Sequence, residues 1–278
     1  MDLKLSYAVC YDVGKVRTNN EDNFYCAGRF RENVDDNAGF FAGTARASRF
    51  LAAVCDGMGG EQSGEIASLL AASHLTPGTL EEAPQAALSA IRAANDAICQ
   101  ASLAGSGRMG STVTALYIDR NAAITCNLGD SRIYRLRGGV LTQLTTDHCK
   151  SERLVRMGLL TPEQARSHPS KHELTQHLGI FPEEMLVEPD ISQPLPLQRG
   201  DTFLLCSDGL TDMVDDAAIA RTLASSGSTG KLARSLVQQA LSSGGRDNVT
   251  VLVIQVGGAL LRRLTAYKNG GNYDQSFL

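Results

Sequence analysis

Four acidic residues stand beside apolar runs of the kind that form β-strands. Asp56 directly follows "FLAAVC" and Asp208 comes two residues after "FLLC", whereas Asp22 and Asp247 directly precede "NFYCA" and "NVTVLVI". In antiparallel neighbours, the end of one strand and the start of the next lie at the same edge of the sheet, so the four carboxylates could converge there. Such a cluster of like charges is costly without a cation. Because Mg²⁺ and Mn²⁺ prefer oxygen ligands, the pattern predicts a divalent-metal site.

Glycines follow two of these acids, in "DGMGG" at 56–60 and "SDG" at 207–209. Glycine lets the backbone turn sharply, which can bring its carbonyl groups close to an ion. Each motif alone is explained more simply as a turn, because Asp-Gly is a common turn dipeptide. The joint pattern, and not any single motif, therefore supports a shared site.

The elements that must position these acids are short β-rich runs and amphipathic helices. Strands are predicted at 5–13, 22–27, 50–55, 111–118, 122–128, 131–137, 140–144, 202–206 and 249–256, and helices at 63–75, 84–103, 151–157, 162–168, 215–224 and 230–242. Hairpins such as the one at Gly138 and Gly139 favour a mainly antiparallel, layered α+β fold over a parallel one. The polar segment from about 147 to 195 carries four of the five histidines and is predicted to be a helical excursion or flap.

Composition limits the classes of function. The chain has 278 residues, of which 43% are hydrophobic, so it can bury a substantial core and one large domain is favoured over two small ones. A net charge of -4 gives no basic surface, so neither nucleic acid nor a membrane is expected as a partner. The seven cysteines form no CxxC pair, which indicates a reducing compartment. With no leader and no membrane-spanning run, a cytoplasmic location is expected.

Six short motifs occur in an order that resembles the metal-dependent protein phosphatases, the type 2C or PPM family. They are "RTNNED" at 17–22, "DGMGG" at 56–60, "GST" at 110–112, "GDSR" at 129–132, "SDG" at 207–209 and "RDN" at 246–248. The match spans about residues 6 to 256, and "DGMGG" looks like the bacterial branch. The resemblance implies a central β-sandwich of two antiparallel sheets flanked by helices, a four-layer αββα arrangement with a small flap. The catalytic domain is predicted to span 1–256, and the tail over 257–278 is expected to be partly disordered.

The resemblance also implies an active site with two Mn²⁺ or Mg²⁺ ions. Carried over by motif, Asp22 and Asp56 hold metal, and Asp56 bridges both ions. The carbonyl group of Gly57 is a further ligand. Asp208 and Asp247 complete the pair on the other side of the ions.

Three more residues receive roles from the same resemblance. Glu21 acts mainly through bound waters. Arg17 grips the substrate phosphate, a task that suits a planar fork of donors. In bacterial members a third metal can lie beside the pair, and here Asp130 and Asp208 would hold it.

The sequence departs from the family pattern at two places. Met58 stands where many eukaryotic relatives have the histidine proposed to protonate the leaving group. A metal-bound water, or a flap histidine such as His148 or His168, could replace it, although each histidine is explained more simply as a surface or capping residue. Gln176 stands where relatives often carry arginine, which places the substrate contacts of the flap in question.

The implied activity is hydrolysis of phosphoserine and phosphothreonine in proteins by a metal-activated water. Phosphorylated proteins, including a cognate serine/threonine kinase, are the expected partners. Two alternatives stay open: a catalytically silent phosphatase-fold module that binds a partner, and a two-metal hydrolase of small phosphoesters. Loss of metal acids usually marks the first, and here all four are present. Competition between phosphopeptides and small phosphoesters would separate the second.

Overall fold

Residues 3–59 and 63–257 are described by the structure, which is a computed structural model. They form fifteen β-strands and seven α-helices. The strands are β1 Lys4–Asp12, β2 Asn23–Cys26, β3 Arg29–Phe30, β4 Ala38–Arg46, β5 Phe50–Cys55, β6 Gly57–Gly59, β7 Met109–Ser111, β8 Val113–Asp119, β9 Ala122–Leu128, β10 Arg132–Arg137, β11 Val140–Gln143, β12 Asp190–Ile191, β13 Leu195–Pro196, β14 Thr202–Cys206 and β15 Val249–Gly257. The helices are α1 Gly64–Ser73, α2 Ala83–Ala101, α3 Lys150–Arg156, α4 Pro162–Arg166, α5 Asp208–Thr211, α6 Asp216–Ala224 and α7 Thr229–Ser242.

The strands form two large antiparallel sheets. One has the order β11-β10-β14-β15-β1-β4, and the other has the order β12-β9-β8-β5-β2-β3, with β13 also pairing with β9. A separate two-stranded ribbon joins β6 to β7. The mainly antiparallel α+β architecture predicted from the hairpins is therefore confirmed.

Three apolar clusters separate four layers of structure. One cluster lies between the two sheets and includes Leu5, Phe50 and Phe203. A second lies between the outer face of the β5 sheet and helices α1 and α2, and a third between the outer face of the β1 sheet and helices α6 and α7. This arrangement confirms the predicted αββα sandwich.

Strand β5 illustrates why the strand runs are apolar on both faces. All six of its residues are buried. Phe50 and Val54 point into the cluster between the sheets, whereas Leu51 and Cys55 point into the cluster under the helices. A strand covered on both faces shows a continuous apolar run instead of the alternation of a half-exposed strand. The run "FLAAVC" thus follows from the layered packing.

Strand β4 was absent from the predicted strands, because its sequence "AGFFAGTAR" is rich in small residues with weak strand preference. It pairs with β1, and Tyr11 lies opposite Gly39 while Tyr7 lies opposite Gly43. A Cβ atom on either glycine would overlap the tyrosine ring that faces it. The glycines therefore make room for aromatic side chains of the neighbouring strand, a device known from glycines in edge strands.

The hairpin turn that was predicted at Gly138 and Gly139 is confirmed. The two-residue hairpin has both glycines, 138 and 139, at positive φ. In addition, Thr161 and Gln164 form a capping box at the start of α4. Segment 147–195 carries α3 and α4 as predicted, but it also contains the short strand β12 and reaches the first residue of β13, and both strands pair with β9. Apart from Gly257, the predicted tail lies outside the described residues. No helix within those residues has the length and apolar character needed to cross a bilayer.

Candidate metal and phosphate site

The predicted acids meet at one edge of the sandwich because of the strand register. Asn23 of β2 pairs with Cys55 of β5, which brings the residues just outside both strands together. In the other sheet Cys206 of β14 pairs with Val251 of β15. The four acids flank these paired strand ends, as expected for antiparallel neighbours.

A cavity of about 660 Å³ opens at this edge. Eight of the residues singled out from the sequence line it: Arg17, Glu21, Asp56, Gly57, Met58, Asp130, Asp208 and Asp247. Asp22 does not line the cavity, since its side chain is buried beneath it with 2% exposure. The acids therefore lie together, as their positions beside the strands predicted, and Asp22 lies deeper than its neighbours.

Asp22 is held from one side only. Its Oδ2 atom accepts a hydrogen bond from the hydroxyl of Ser207 at 2.7 Å. Its Oδ1 atom is buried without a hydrogen-bond partner among the described residues. Burial raises the pKa of this carboxyl to about 7, and the charges of Asp208 and Asp247 act in the same direction. A buried, unpartnered carboxylate oxygen is the kind of group that a cation or a proton must satisfy.

Asp56 is held in place by Thr112, the residue that separates strands β7 and β8. Thr112 donates its backbone N–H to the Asp56 carbonyl oxygen at 2.8 Å, and its hydroxyl oxygen accepts the Asp56 N–H at 2.9 Å. Burial and the charges of Asp22 and Asp208 raise the pKa of the Asp56 carboxyl well above its usual range. The predicted strand over 111–118 is thus two strands, and the interruption serves the site.

Gly57 occupies a place that no side chain could share. A Cβ atom there would overlap the carbonyl oxygen of Gly64 at the start of α1 and come within 2.5 Å of the Glu21 carbonyl oxygen. The Gly57 N–H donates to that Glu21 oxygen at 3.2 Å. The glycine requirement of "DGMGG" is therefore steric at this position.

Asn248 ties the loops of the site together. Its Oδ1 atom accepts the N–H of Glu21 at 2.8 Å, and its Nδ2 group donates to the carbonyl oxygens of Val13 and Asn19, both at 2.9 Å. The side chain is buried and uses its full planar amide. The loop that carries Arg17 and Glu21 is thereby attached to the start of β15.

Asp130 and Asp208 lie together with a histidine that the sequence analysis did not single out. Ligand atoms of Asp130, His172 and Asp208 all lie within 4.8 Å of one another. His172 faces Asp208 through Nδ1 and Asp212 through Nε2, each at 3.2 Å. Hydrogen bonds to these two carboxylates raise the pKa of His172 to about 10. Burial and the charge of Asp208 also raise the pKa of Asp130.

The flap residues singled out from the sequence lie away from the cavity. His148 is buried against Asp190, and His168 bonds Ser170, so neither histidine lines the site. Gln176 holds the flap backbone, because its side chain donates to Leu186 O at 3.2 Å and accepts the Glu188 N–H at 3.0 Å. Among the residues that the structure describes, His172 is the histidine that lines the cavity.

Arg17 forms an ion pair across the mouth of the cavity. Its guanidinium contacts Asp247 Oδ2 at 2.9 Å, and both side chains are more than one third exposed. Asp247 also accepts the backbone N–H of Asn248. The arginine is thus held beside the acids by an exposed pair, which is a weak restraint that a bound anion could replace.

The donors at this edge fit hard divalent cations. They are carboxylate oxygens with a backbone carbonyl and one imidazole nearby, and no thiolate lines the cavity among the described residues. The raised pKa values of Asp22, Asp56 and Asp130 reflect burial of like charges. Cations would remove that repulsion.

Three residues that contribute to the site were not predicted from the sequence, although two of them are next to acids that were. Ser207 precedes Asp208 in "SDG", Asn248 follows Asp247 in "RDN", and His172 lies in the flap. Ser207 and Asn248 could have been noticed because each is next to an acid at a strand end. Their roles could not be inferred, because their hydrogen-bond partners are distant in the sequence.

Comparison with known proteins places this site in a family. A family model described as Protein phosphatase 2C matches residues 31–242, which include Asp56, Asp130 and Asp208. The serine/threonine phosphatase stp of Listeria innocua is 35% identical over 239 residues, covering 82% of this chain and 92% of that protein. The serine/threonine protein phosphatase PstP of Mycobacterium tuberculosis is 37% identical over 267 residues, which cover 91% of this chain and 45% of the relative.

A solved structure extends the likeness to the fold. The catalytic domain of PstP, in complex with two manganese ions, superposes with a TM-score of 0.73 at 36% identity, covering 92% of this chain and all of that domain. This chain therefore belongs to the protein phosphatase 2C family.

Proposed function

We propose that this chain is a metal-dependent protein serine/threonine phosphatase of the bacterial type. The observation that carries the proposal is the cavity at the sheet edge, where Asp56, Asp130, Asp208 and Asp247 converge above the buried Asp22. In a chain of the protein phosphatase 2C family, that arrangement fits Mn²⁺ or Mg²⁺ as the cofactor. The PstP catalytic domain, with its two manganese ions, supports this assignment.

The acids would hold the ions. In this proposal Asp56 would contribute to both ions, Asp22, Asp208 and Asp247 would supply further carboxylate ligands, and the Gly57 carbonyl would add one more. When bound, the two ions lower the pKa of a water and neutralise charge that develops on the phosphoryl oxygens.

The remaining side chains position the substrate and the ligands. Arg17 would release Asp247 to the metal and turn its fork of donors toward the phosphate. Glu21 would act through bound waters. Asp130 and Asp208 would hold a third ion, with His172 close enough to add a nitrogen ligand.

Further parts of the proposal concern partners and compartment. Phosphorylated serine/threonine proteins would be the substrates, and a cognate kinase would be among the partners. Seven cysteines are buried free thiols, which suits a reducing compartment such as the cytoplasm. Residues 1–256 would form the catalytic domain, with the flap at about 147–195.

The test is hydrolysis of a phosphothreonine peptide by the purified chain, with Mn²⁺ and again with EDTA. Asp208→Asn keeps the size of the side chain and removes its charge, so we expect it to abolish turnover while the protein stays folded. Asp35→Asn removes an exposed carboxylate outside the cavity and serves as the matched control.

The outcomes separate the alternatives. Turnover that needs metal and is lost in Asp208→Asn alone supports the phosphatase. A folded wild-type protein without turnover in any metal would favour a silent binding module. A small phosphoester that outcompetes phosphopeptides would favour a hydrolase of small substrates.

A further inference from the structure

The cavity is larger than a single phosphoryl group requires. Its volume of about 660 Å³ lies within the range, about 300–1,000 Å³, of pockets that bind drug-sized ligands. Residues outside the proposed metal ligands therefore face the groups that flank a phosphorylated residue. The charges of these residues affect which flanking groups are favoured.

Three lysine or arginine side chains line the cavity: Arg17, Lys171 and Arg246. Arg17 pairs with Asp247 at 2.9 Å, and Lys171 pairs with Asp212 at 3.0 Å. Arg246 is exposed and has no ion pair with any residue that the structure describes. Its guanidinium is therefore free to bind an anion from outside the protein.

The loop that carries Arg246 is well fixed. Gly244 and Gly245 adopt φ angles of 133° and 53°, which favour glycine. The N–H of Gly245 donates to Ala240 O at 3.0 Å, and its carbonyl oxygen accepts the N–H of Lys15 at 2.7 Å. The charged group therefore projects from backbone that is already ordered, which lowers the entropy cost of binding.

Three basic residues lie near one another on this side of the cavity, beside the acids Glu21 and Asp247. Lys15 packs next to Gly245, because a Cβ atom on that glycine would lie 3.3 Å from Lys15 Cγ. Arg17 follows two residues later, and Arg246 directly precedes Asp247, the ion-pair partner of Arg17. We call Lys15, Arg17 and Arg246 the basic rim. The rim attracts anionic groups that approach beside the phosphate.

We infer that Arg246 determines substrate specificity by binding a carboxylate side chain that flanks the phosphorylated serine or threonine. The inference rests on the proposed function and adds a substrate class, acidic phosphopeptides. A guanidinium presents a planar fork of donors that matches a carboxylate, and the pair forms at the mouth of the cavity, outside the proposed metal ligands.

The experiment compares phosphothreonine peptides that differ only in flanking charge. One peptide carries two aspartates on the N-terminal side and another carries them on the C-terminal side. In the reference peptide asparagine replaces each aspartate, which keeps the shape and removes the charge. The quantity measured is the ratio of kcat/KM for each acidic peptide to kcat/KM for the reference peptide, with saturating Mn²⁺.

We expect the wild-type protein to favour at least one acidic peptide. Arg246→Ala should lower that preference about fivefold, the limit for a partly exposed charge pair. Arg246→Lys should keep part of it, and Arg246→Glu should reverse it. Arg199→Ala removes an exposed arginine near the opposite end of strand β14 and should leave the ratio unchanged. Added salt should reduce the preference, because exposed charges are screened.

The outcomes distinguish this inference from the function on which it rests. If the peptides are hydrolysed but Arg246→Ala keeps the wild-type ratio, the inference is wrong and the phosphatase stands. If the wild-type protein does not discriminate between the peptides, the inference is also wrong. If the wild-type protein hydrolyses no phosphopeptide with any metal, the proposed function falls and takes the inference with it.

Discussion

Asn248→Asp changes two donors into an acceptor where the loop between β1 and β2 meets the start of β15, with no change in side-chain size. The wild-type amide donates to the carbonyl oxygens of Val13 and Asn19, both at 2.9 Å, and is 4% exposed. Two hydrogen bonds are lost, at about 1 kcal/mol each, and two carbonyl oxygens then face a buried carboxylate. We expect the free energy of unfolding to fall by about 3–5 kcal/mol, the range for an uncompensated buried charge.

The same substitution should weaken the site beyond its effect on stability. The Asn248 side chain holds the loop that carries Glu21, and its backbone adjoins Asp247. A loosened loop would raise the Mn²⁺ concentration needed for half-maximal turnover by about tenfold. Urea unfolding measures the first effect, and a Mn²⁺ titration of phosphopeptide hydrolysis measures the second.

Asn95→Asp supplies the matched control. Asn95 is also a buried asparagine that joins two segments, with Nδ2 donating to Ile180 O and Oδ1 accepting the Gly179 N–H, but it does not line the cavity. Asn95→Asp should lower the free energy of unfolding by a similar amount, about 3–5 kcal/mol, because it also places a carboxylate in a buried site, and it should leave the Mn²⁺ requirement unchanged. Equal Mn²⁺ requirements in the two variants would refute the role given to Asn248.

Further predictions concern backbone space, phosphate binding and pH. Gly209→Ala should lower turnover about tenfold or more, because its Cβ would overlap the Asn248 carbonyl oxygen, whereas Gly78→Ala has room and should stay active. Arg17→Ala should raise KM for phosphopeptides with little change in kcat, and a fall in kcat alone would contradict ground-state phosphate binding. The rise in Tm on adding Mn²⁺ should be larger at about pH 8 than at about pH 6. Burial raises the pKa of Asp22 to about 7, so the metal-free fold binds more protons than the unfolded chain and loses stability as pH rises from about 4 toward 7. Equal Tm shifts at the two pH values would speak against this explanation.

The sequence was most informative where the local composition indicates one kind of structure. The apolar runs of β5 and β14 are buried on both faces, so their composition alone indicated strands. An acid just beyond such a run lies at the sheet edge, which located Asp56, directly after its strand, and Asp208, two residues after its strand. The glycine after Asp56 was expected for its backbone freedom, but its φ angle is not positive, and the structure gives it a steric reason instead.

The sequence was least informative where a residue acts through a distant partner. Strand β4 depends on tyrosines of β1 to fill the space above its glycines, a relation that periodicity does not reveal. His172 looks like any polar flap residue until the fold brings it to Asp208. Asn248 joins segments more than 220 residues apart, so its importance could not be inferred from its neighbours.

The flap is attached by its backbone to the strand ribbon next to the proposed metal site. Leu178 and Ser111 exchange N–H···O hydrogen bonds of 2.8 and 3.2 Å, and Ser111 pairs with Gly57 in the adjoining strand. Movement of the flap at Leu178 would break both hydrogen bonds or carry Ser111 with it. Because Ser111 pairs with Gly57, the position of the flap is coupled through the ribbon to the backbone at the edge of the cavity.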